Sequence, residues 1–230
     1  MFKTLEKSSL KDLPKGSFTV IVPYRDQPEQ NRAQQLENFI AHFSTLGYPV
    51  LIVEQTDEKK FNRGKLLNAG ADLVETDYMI FHDVDLLPKQ SILPYYEVFP
   101  SSPIHIGKAW REKYNSQTFL GGVVSVSKRD FQATDGFPNN FWGWGGEDDA
   151  MRIRFKKAGL KVLQPSIKAG FTEQKHVDTK SKPEWKNLER WEGLDREKEG
   201  SNKSGLSDLE YNILEQLDIN ASTTKVVVNI

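Results

Sequence analysis

Two aspartates, Asp83 and Asp85, stand two residues apart in "FHDVDLLP", where an apolar run ends. At a strand end that spacing points both carboxylates to one side. Hard oxygen ligands suit Mg²⁺ or Mn²⁺, and such ions commonly complete their shell with phosphate oxygens. Taken alone, the pair also reads as a strand-ending turn, where aspartate is favoured. A second constellation, "FWGWGGEDDAMRIRF", sets Trp144 among Gly143, Gly145 and Gly146, directly before Glu147, Asp148 and Asp149. One or two acids satisfy the N-terminal dipole of a helix. Three in a row exceed that need, and paired carboxylates drive their proton affinities apart, which is how a site obtains a general base. The dipole works the other way and keeps Asp148 ionised at neutral pH. Glycines let backbone approach a ligand, and an indole offers an apolar face to a sugar.

Arg25 in "PYRD" and Arg63 in "FNRGKLLNAG" each stand near an aromatic, Tyr24 and Phe61. A guanidinium matches phosphate with a planar fork, and a helix N-terminus adds amide donors. Both arginines border the cleft expected to hold the two aspartates. A nucleoside-diphosphate pocket accounts for them together better than two surface arginines do. His176, in "TEQKHVD", lies three residues after Glu173 among metal-compatible neighbours, although alone it reads as a surface residue.

The elements that must position these groups follow from periodicity. Strands are expected over 17–26, 49–56 and 77–85, and helices over 27–47 and 62–76, the first with Pro28 near its start and Gly47 past its end. That alternation is a βαβαβ unit with a parallel sheet, an α/β fold whose ligands sit beyond the strands' carboxyl ends. Tyr24, Arg25, Asp83 and Asp85 fall at those ends. Further on, 118–131 gives a strand and a helix start, 147–159 a helix with acids first and bases last, and "TTKVVVNI" a closing strand. Residues 1–16 read as a frayed polar arm. Residues 173–205, polar and aperiodic, read as a long loop or lid.

The 230 residues suit one domain, 17–230, with a nucleotide-binding half over 17–100 and an acceptor half over 101–230. A net charge of −1 invites neither nucleic acid nor an anionic membrane. With no cysteine there is no disulfide and no thiolate metal site. The N-terminus shows no signal peptide and no membrane anchor, so the cytoplasm is the expected location.

"VIVPYRD", "FNRGKLLNAG", "DYMIFHDVDLLP", "FLGGVVSVSKRDF" and "DGFPNNFWGWGGEDDAMRIR" occur in the order of the β-1,4-galactosyltransferase family, glycosyltransferase family 7, which the chain resembles from about residue 17 to its end. The resemblance implies a GT-A fold: a Rossmann-like, mostly parallel sheet, with a flexible lid over about 173–205. It implies an inverting, Mn²⁺-dependent transfer of galactose or N-acetylgalactosamine from a UDP-sugar to a glycan hydroxyl, forming a β-1,4 linkage. Pro23, Tyr24, Arg25, Phe61, Arg63, Asp83, Val84, Asp85, Gly122 and Trp144 match donor-binding positions. Asp148 matches the catalytic base. Glu147 and Asp149 beside it, with Trp144, Phe119, Arg190, Trp191 and Leu194, match acceptor positions. Asp85, His176 and Glu173 match the metal ligands.

Two positions depart from the family pattern. Glu173 stands where many members carry a methionine ligand; a carboxylate is harder than a thioether, so Mg²⁺ is expected to serve better here. Phe119 stands where a tyrosine helps choose between the two donor sugars, and that choice stays open. Rival readings are a retaining polypeptide N-acetylgalactosaminyltransferase-like enzyme, which shares a "WGGE" element, and a catalytically silent UDP-sugar or glycan-binding module.

Overall fold

In the computed structural model, which describes residues 2–110, 118–175, 177 and 182–230, the N-terminal arm is not frayed. Strand β1 (Phe2–Leu5) pairs in parallel with β7 (Val162–Pro165), Phe2 opposite Val162. A 3-10 turn over Lys7–Asp12 follows and buries Leu10. The backbone oxygen of Leu5 accepts a bond from the Tyr95 hydroxyl at 3.0 Å. The arm's polar residues face out, while Leu5 and Leu10 sink into the core.

The βαβαβ unit forms as expected: β2 (Phe18–Tyr24), α1 (Arg32–Leu46), β3 (Val50–Gln55), α2 (Arg63–Asp72) and β4 (Tyr78–His82). The first helix starts later than its composition suggests. Pro28–Gln30 form a 3-10 turn, and Asn31, at φ 56°, breaks the path before Arg32. Gly47, also left-handed at φ 66°, closes α1 by donating to Phe43. Asn62 caps α2 by accepting from the Lys65 amide. After β4 the chain turns through Asp83–Asp85 into β5 (Leu86–Pro88), which pairs antiparallel with β8 (Phe171–Glu173).

Strand β6 (Val123–Ser127) leads into α3 (Lys128–Ala133), and α4 (Glu147–Lys157) carries acids in its first turn and bases in its last. A hairpin of β9 (Asn212–Asn220) and β10 (Thr223–Asn229) ends the chain. The main sheet runs β6-β4-β2-β3-β10-β9. Its interior pairings are parallel, but β6 and β9 join antiparallel, so the sheet is mixed. Alternate residues divide between two cores. Val20, Val22 and Tyr24 face α1 with Phe39 and Phe43; Ile21 and Val53 face Leu66 and Leu67 of α2.

The expected lid is partly a helix. α5 (Arg190–Glu199) packs on α4, and a 3-10 turn spans Pro183–Trp185. Its sequence, "RWEGLDREKE", hid it: the packing stripe is short, and the polar contacts that anchor it carry no hydrophobic period. No helix among the described residues is long and apolar enough to cross a membrane.

Candidate active site

The strand ends, the α4 N-terminus and the start of α5 enclose one cleft of about 1030 Å³. Pro23, Tyr24, Arg25, Phe61, Arg63, Asp83, Val84, Asp85, Phe119, Gly122, Trp144, Glu147, Asp148, Asp149, Glu173, Arg190, Trp191 and Leu194 all line it. His176 lies outside the described residues.

The two aspartates stand in a turn, not on a strand, and they meet different cations. Asp83 Oδ1 accepts from Arg63 Nε at 2.7 Å, while Asp85 Oδ2 accepts from Arg32 Nη1 at 3.2 Å. The turn is held from behind. The Asp83 amide donates to Gly122 O at 2.9 Å, and the Asp83 carbonyl accepts from His82 Nδ1 at 2.9 Å. With Nδ1 donating, neutral His82 accepts at Nε2 from the Tyr96 hydroxyl, 2.8 Å away. Burial keeps that imidazole neutral, pushing its pKa down to about 4.

Arg63, on the first turn of α2, is the hub. Its Nη1 donates to Asp148 Oδ1 at 2.9 Å and lies 4.0 Å from Glu147 Oε1. One guanidinium thus joins the aspartate in the turn after β4 to the acid cluster on α4. Burial raises the pKa of Asp148, Arg63 opposes that rise, and the charge of Asp149 adds to it. Burial therefore works against the helix dipole, which alone would keep Asp148 ionised. Glu147 moves furthest, to about 8, through burial and the charge of Asp148, with Arg63 opposing. Its Oε2 is buried without a hydrogen-bond partner. Asp149, by contrast, pairs with Arg152 at 3.3 Å on a half-exposed face.

The glycines before α4 are required more by conformation than by mobility. Gly146 caps the helix at φ 102°, and a Cβ there would meet the Phe141 ring at 2.7 Å. Gly121 makes room for the acid cluster, since a Cβ would lie 2.5 Å from Asp148 Oδ2. Trp144 is bound to the 185–187 segment: its amide donates to Trp185 O at 2.6 Å, and its carbonyl accepts from Asn187 N at 3.0 Å.

Arg25 is tethered to the carbonyls of Asp57, at 2.9 Å, and Lys59. Tyr24 is only 4% exposed, so its ring serves the core more than the cleft. Leu194 is similarly buried, packed with Phe141 and Ala150, whereas Trp191 is 63% exposed at the mouth.

Sequence reasoning missed Arg32, Gln30 and Gln35. Arg32 donates to Gln35 Oε1 at 2.8 Å and Gln30 Oε1 at 3.2 Å. Those glutamines also reach the 174–177 segment: Gln30 donates to Val177 O at 3.2 Å, and Gln35 to Lys175 O at 3.4 Å. An arginine on the first turn of a helix that follows a strand end was the available signal.

A divalent cation fits this corner. Asp85 already bears a cationic partner, and the β5–β8 ladder sets Glu173 opposite Leu86, next in sequence to Asp85. Both donors are hard oxygens. Among the described residues no group of three or more ligand-type side chains converges.

The chain matches a family model described as the N-terminal region of glycosyl transferase group 7 over residues 11–97, and one described as the N-terminal domain of galactosyltransferase over residues 102–177. It is similar to β-1,4-galactosyltransferase 7 of Drosophila melanogaster, 32% identical over 210 residues, covering 86% of this chain and 63% of that protein. The xylosylprotein 4-β-galactosyltransferase of Caenorhabditis elegans is 32% identical over 224 residues, covering 91% and 75%. A crystal structure of a mutant Drosophila β-1,4-galactosyltransferase 7 with manganese, UDP-Gal and xylobiose superposes with a TM-score of 0.78 at 28% identity, covering 93% of this chain and 94% of that one. The mixed sheet with helices on both faces is a GT-A fold. The chain spans less than two thirds of the length of the first of these curated relatives.

Proposed function

The chain belongs to the β-1,4-galactosyltransferase family, glycosyltransferase family 7, and we propose that it moves galactose from UDP-galactose to a glycan hydroxyl, with inversion, forming a β-1,4 linkage. One observation carries the reading: Arg63 bonds Asp83 at 2.7 Å and Asp148 at 2.9 Å, so donor-side and acceptor-side acids share one guanidinium. UDP-Gal and xylobiose in the Drosophila relative's crystal support galactose as the donor sugar and a saccharide acceptor.

In this reading Asp148 is the base. Arg63 holds its Oδ1, and Oδ2, beside Gly121, takes the acceptor proton. As that proton leaves, the acceptor oxygen bonds to the anomeric carbon, and the carbon–oxygen bond to UDP breaks with its electron pair on the phosphate. Arg25, Arg32 and Arg63 give the cleft positive charge on the leaving-group side. Asp85 and Glu173, with His176, would hold Mn²⁺, which when bound neutralises charge on the diphosphate. Trp144, Glu147, Asp149, Phe119, Arg190, Trp191 and Leu194 form the acceptor side.

The test is a panel of UDP-galactose, UDP-N-acetylgalactosamine and UDP-glucose with Mn²⁺, against xylobiose, N-acetylglucosamine and glucose, read as UDP release and product linkage. Acceptor-dependent turnover with UDP-galactose and a β-1,4 product is expected. Preference for another donor, or retention at the anomeric carbon, would contradict the reading.

A further inference from the structure

Arg32 opens α1 and lines the cleft, and its guanidinium is held on side-chain oxygens from two elements. Nε donates to Gln30 Oε1 at 3.2 Å, and Nη1 donates to Gln35 Oε1 at 2.8 Å and to Asp85 Oδ2 at 3.2 Å. Gln30, which precedes the left-handed Asn31, and Gln35, in the first turn of α1, are both buried. An amide oxygen accepts a hydrogen bond without carrying a charge, so the two glutamines orient the guanidinium without neutralising it.

The pair stands in a sheltered corner. The side chains of Arg32 and Asp85 are 17% and 11% exposed, so solvent screens their charges less than it would on the open surface. A guanidinium keeps its charge across the whole working pH range. Two effects of opposite sign follow. A divalent cation that takes Asp85 as a ligand meets the guanidinium at Oδ2 and is repelled by it. A diphosphate in the same cleft is attracted by it, and the planar fork matches phosphate oxygens. A purely orienting role for Arg32 would act otherwise, because it would help the cation by aiming the carboxylate.

We propose that Arg32 is a binding residue of two signs: it opposes a divalent cation that binds at Asp85 alone, and it strengthens the hold on the nucleoside diphosphate. When Asp85 turns to the cation, the guanidinium is released to the phosphates, so the two ligands assist each other through this one side chain. By linkage, the factor by which the cation tightens UDP is also the factor by which UDP tightens the cation. The proposal rests on the functional reading above for the nucleotide, while its metal half is measured with the ion alone.

The experiment uses the full chain and compares the wild type with Arg32→Gln, which removes the charge, and with Arg32→Lys, which keeps it. Mn²⁺ alone is titrated into each, with the free ion read by electron paramagnetic resonance. Arg32→Gln should bind Mn²⁺ about fivefold tighter than the wild type, and Arg32→Lys should stay within about twofold of it. UDP is then titrated by calorimetry at saturating Mn²⁺, and its affinity should fall about tenfold in Arg32→Gln. Mn²⁺ binding that is unchanged or weaker in Arg32→Gln overturns the proposal, as does an unchanged UDP affinity. If Arg32→Gln does not fold, the wild type decides by the arginine Nε–H resonance that Arg32→Lys deletes: Mg²⁺ alone should shift it, and an unmoved signal overturns the proposal. A wild type that binds Mn²⁺ but no UDP would contradict the functional reading, and the ion titration would then judge the metal half.

Discussion

At the residue scale, the cleft crowds Asp83, Glu147 and Asp148 around one arginine, and burial decides the consequence. Glu147 is pushed up to about 8 and Asp83 to about 6. An acid whose folded pKa exceeds its unfolded value holds a proton that the unfolded chain has released. Stability from Glu147 is therefore complete below about pH 4.5 and is lost as pH rises towards 8. Below about pH 6.5 the buried neutral imidazoles of His82 and His105 offset this trend, so the melting temperature of the metal-free protein should fall between about pH 7 and 8.5, and Glu147→Gln should flatten much of that slope, Asp83 and Asp148, both also raised, supplying the rest. Thermal melts across that range check it; equal slopes in the two proteins would refute the assignment. Glu173 carries a second prediction. A carboxylate in place of a thioether should let Mg²⁺ support at least one tenth of the Mn²⁺ rate, and a strict Mn²⁺ requirement in a metal titration would refute that. The spacing of Asp83 and Asp85 and the block that opens α4 made the candidate site residues legible in the sequence. Their partners were not, because Arg63 and Asp148 are 85 residues apart and Arg32 and Asp85 are 53 apart. No local pattern encodes such pairings.

At the element scale, strands buried on both faces were readable, since β2, β3 and β4 are continuous apolar runs between turn residues. Elements whose stability comes from partners were not. β1 is four residues long, and its ladder partner lies 160 residues further on. β9 is exposed along its whole length at the sheet edge, so no alternation marks it. α5 is held by Arg154 and by a small apolar contact, neither of which shows as periodicity. The arm provides a test of the corrected element. Leu10 is 5% exposed in the main core. Leu10→Ala should therefore cost about 2–5 kcal/mol, a melting temperature lower by roughly 5–15 °C for a chain of this size. A frayed arm would give no measurable shift in the melt.

At the scale of the whole molecule, the fold brings residues from 23 to 194 to one opening. The closing strand makes this compact: β10 inserts between β3 and β9, so the chain's last residues complete the sheet that the first βαβαβ unit begins. The α/β class followed from strand–helix alternation, but the antiparallel edges did not, since pairing direction depends on connections that cross the molecule. The buried amides of Asn62, Asn68 and Asn139 show the same dependence. Asn62 donates to Asn139 O at 2.7 Å and Asn68 to Asn139 Oδ1 at 2.8 Å, fixing α2 to the segment that leads to α4. The α2 side and the α4 side of the cleft are thereby joined, and Arg63 spans them inside it. The central claim is that Asp148 takes the acceptor proton while the nucleotide pocket stands independently. The most direct measurement is Asp148→Asn, assayed for galactose transfer and for UDP binding by calorimetry in Mn²⁺. Transfer should fall by roughly 10²–10⁴-fold, with UDP affinity within about threefold of the wild type. Retained transfer, or loss of UDP binding in step with activity, would contradict it.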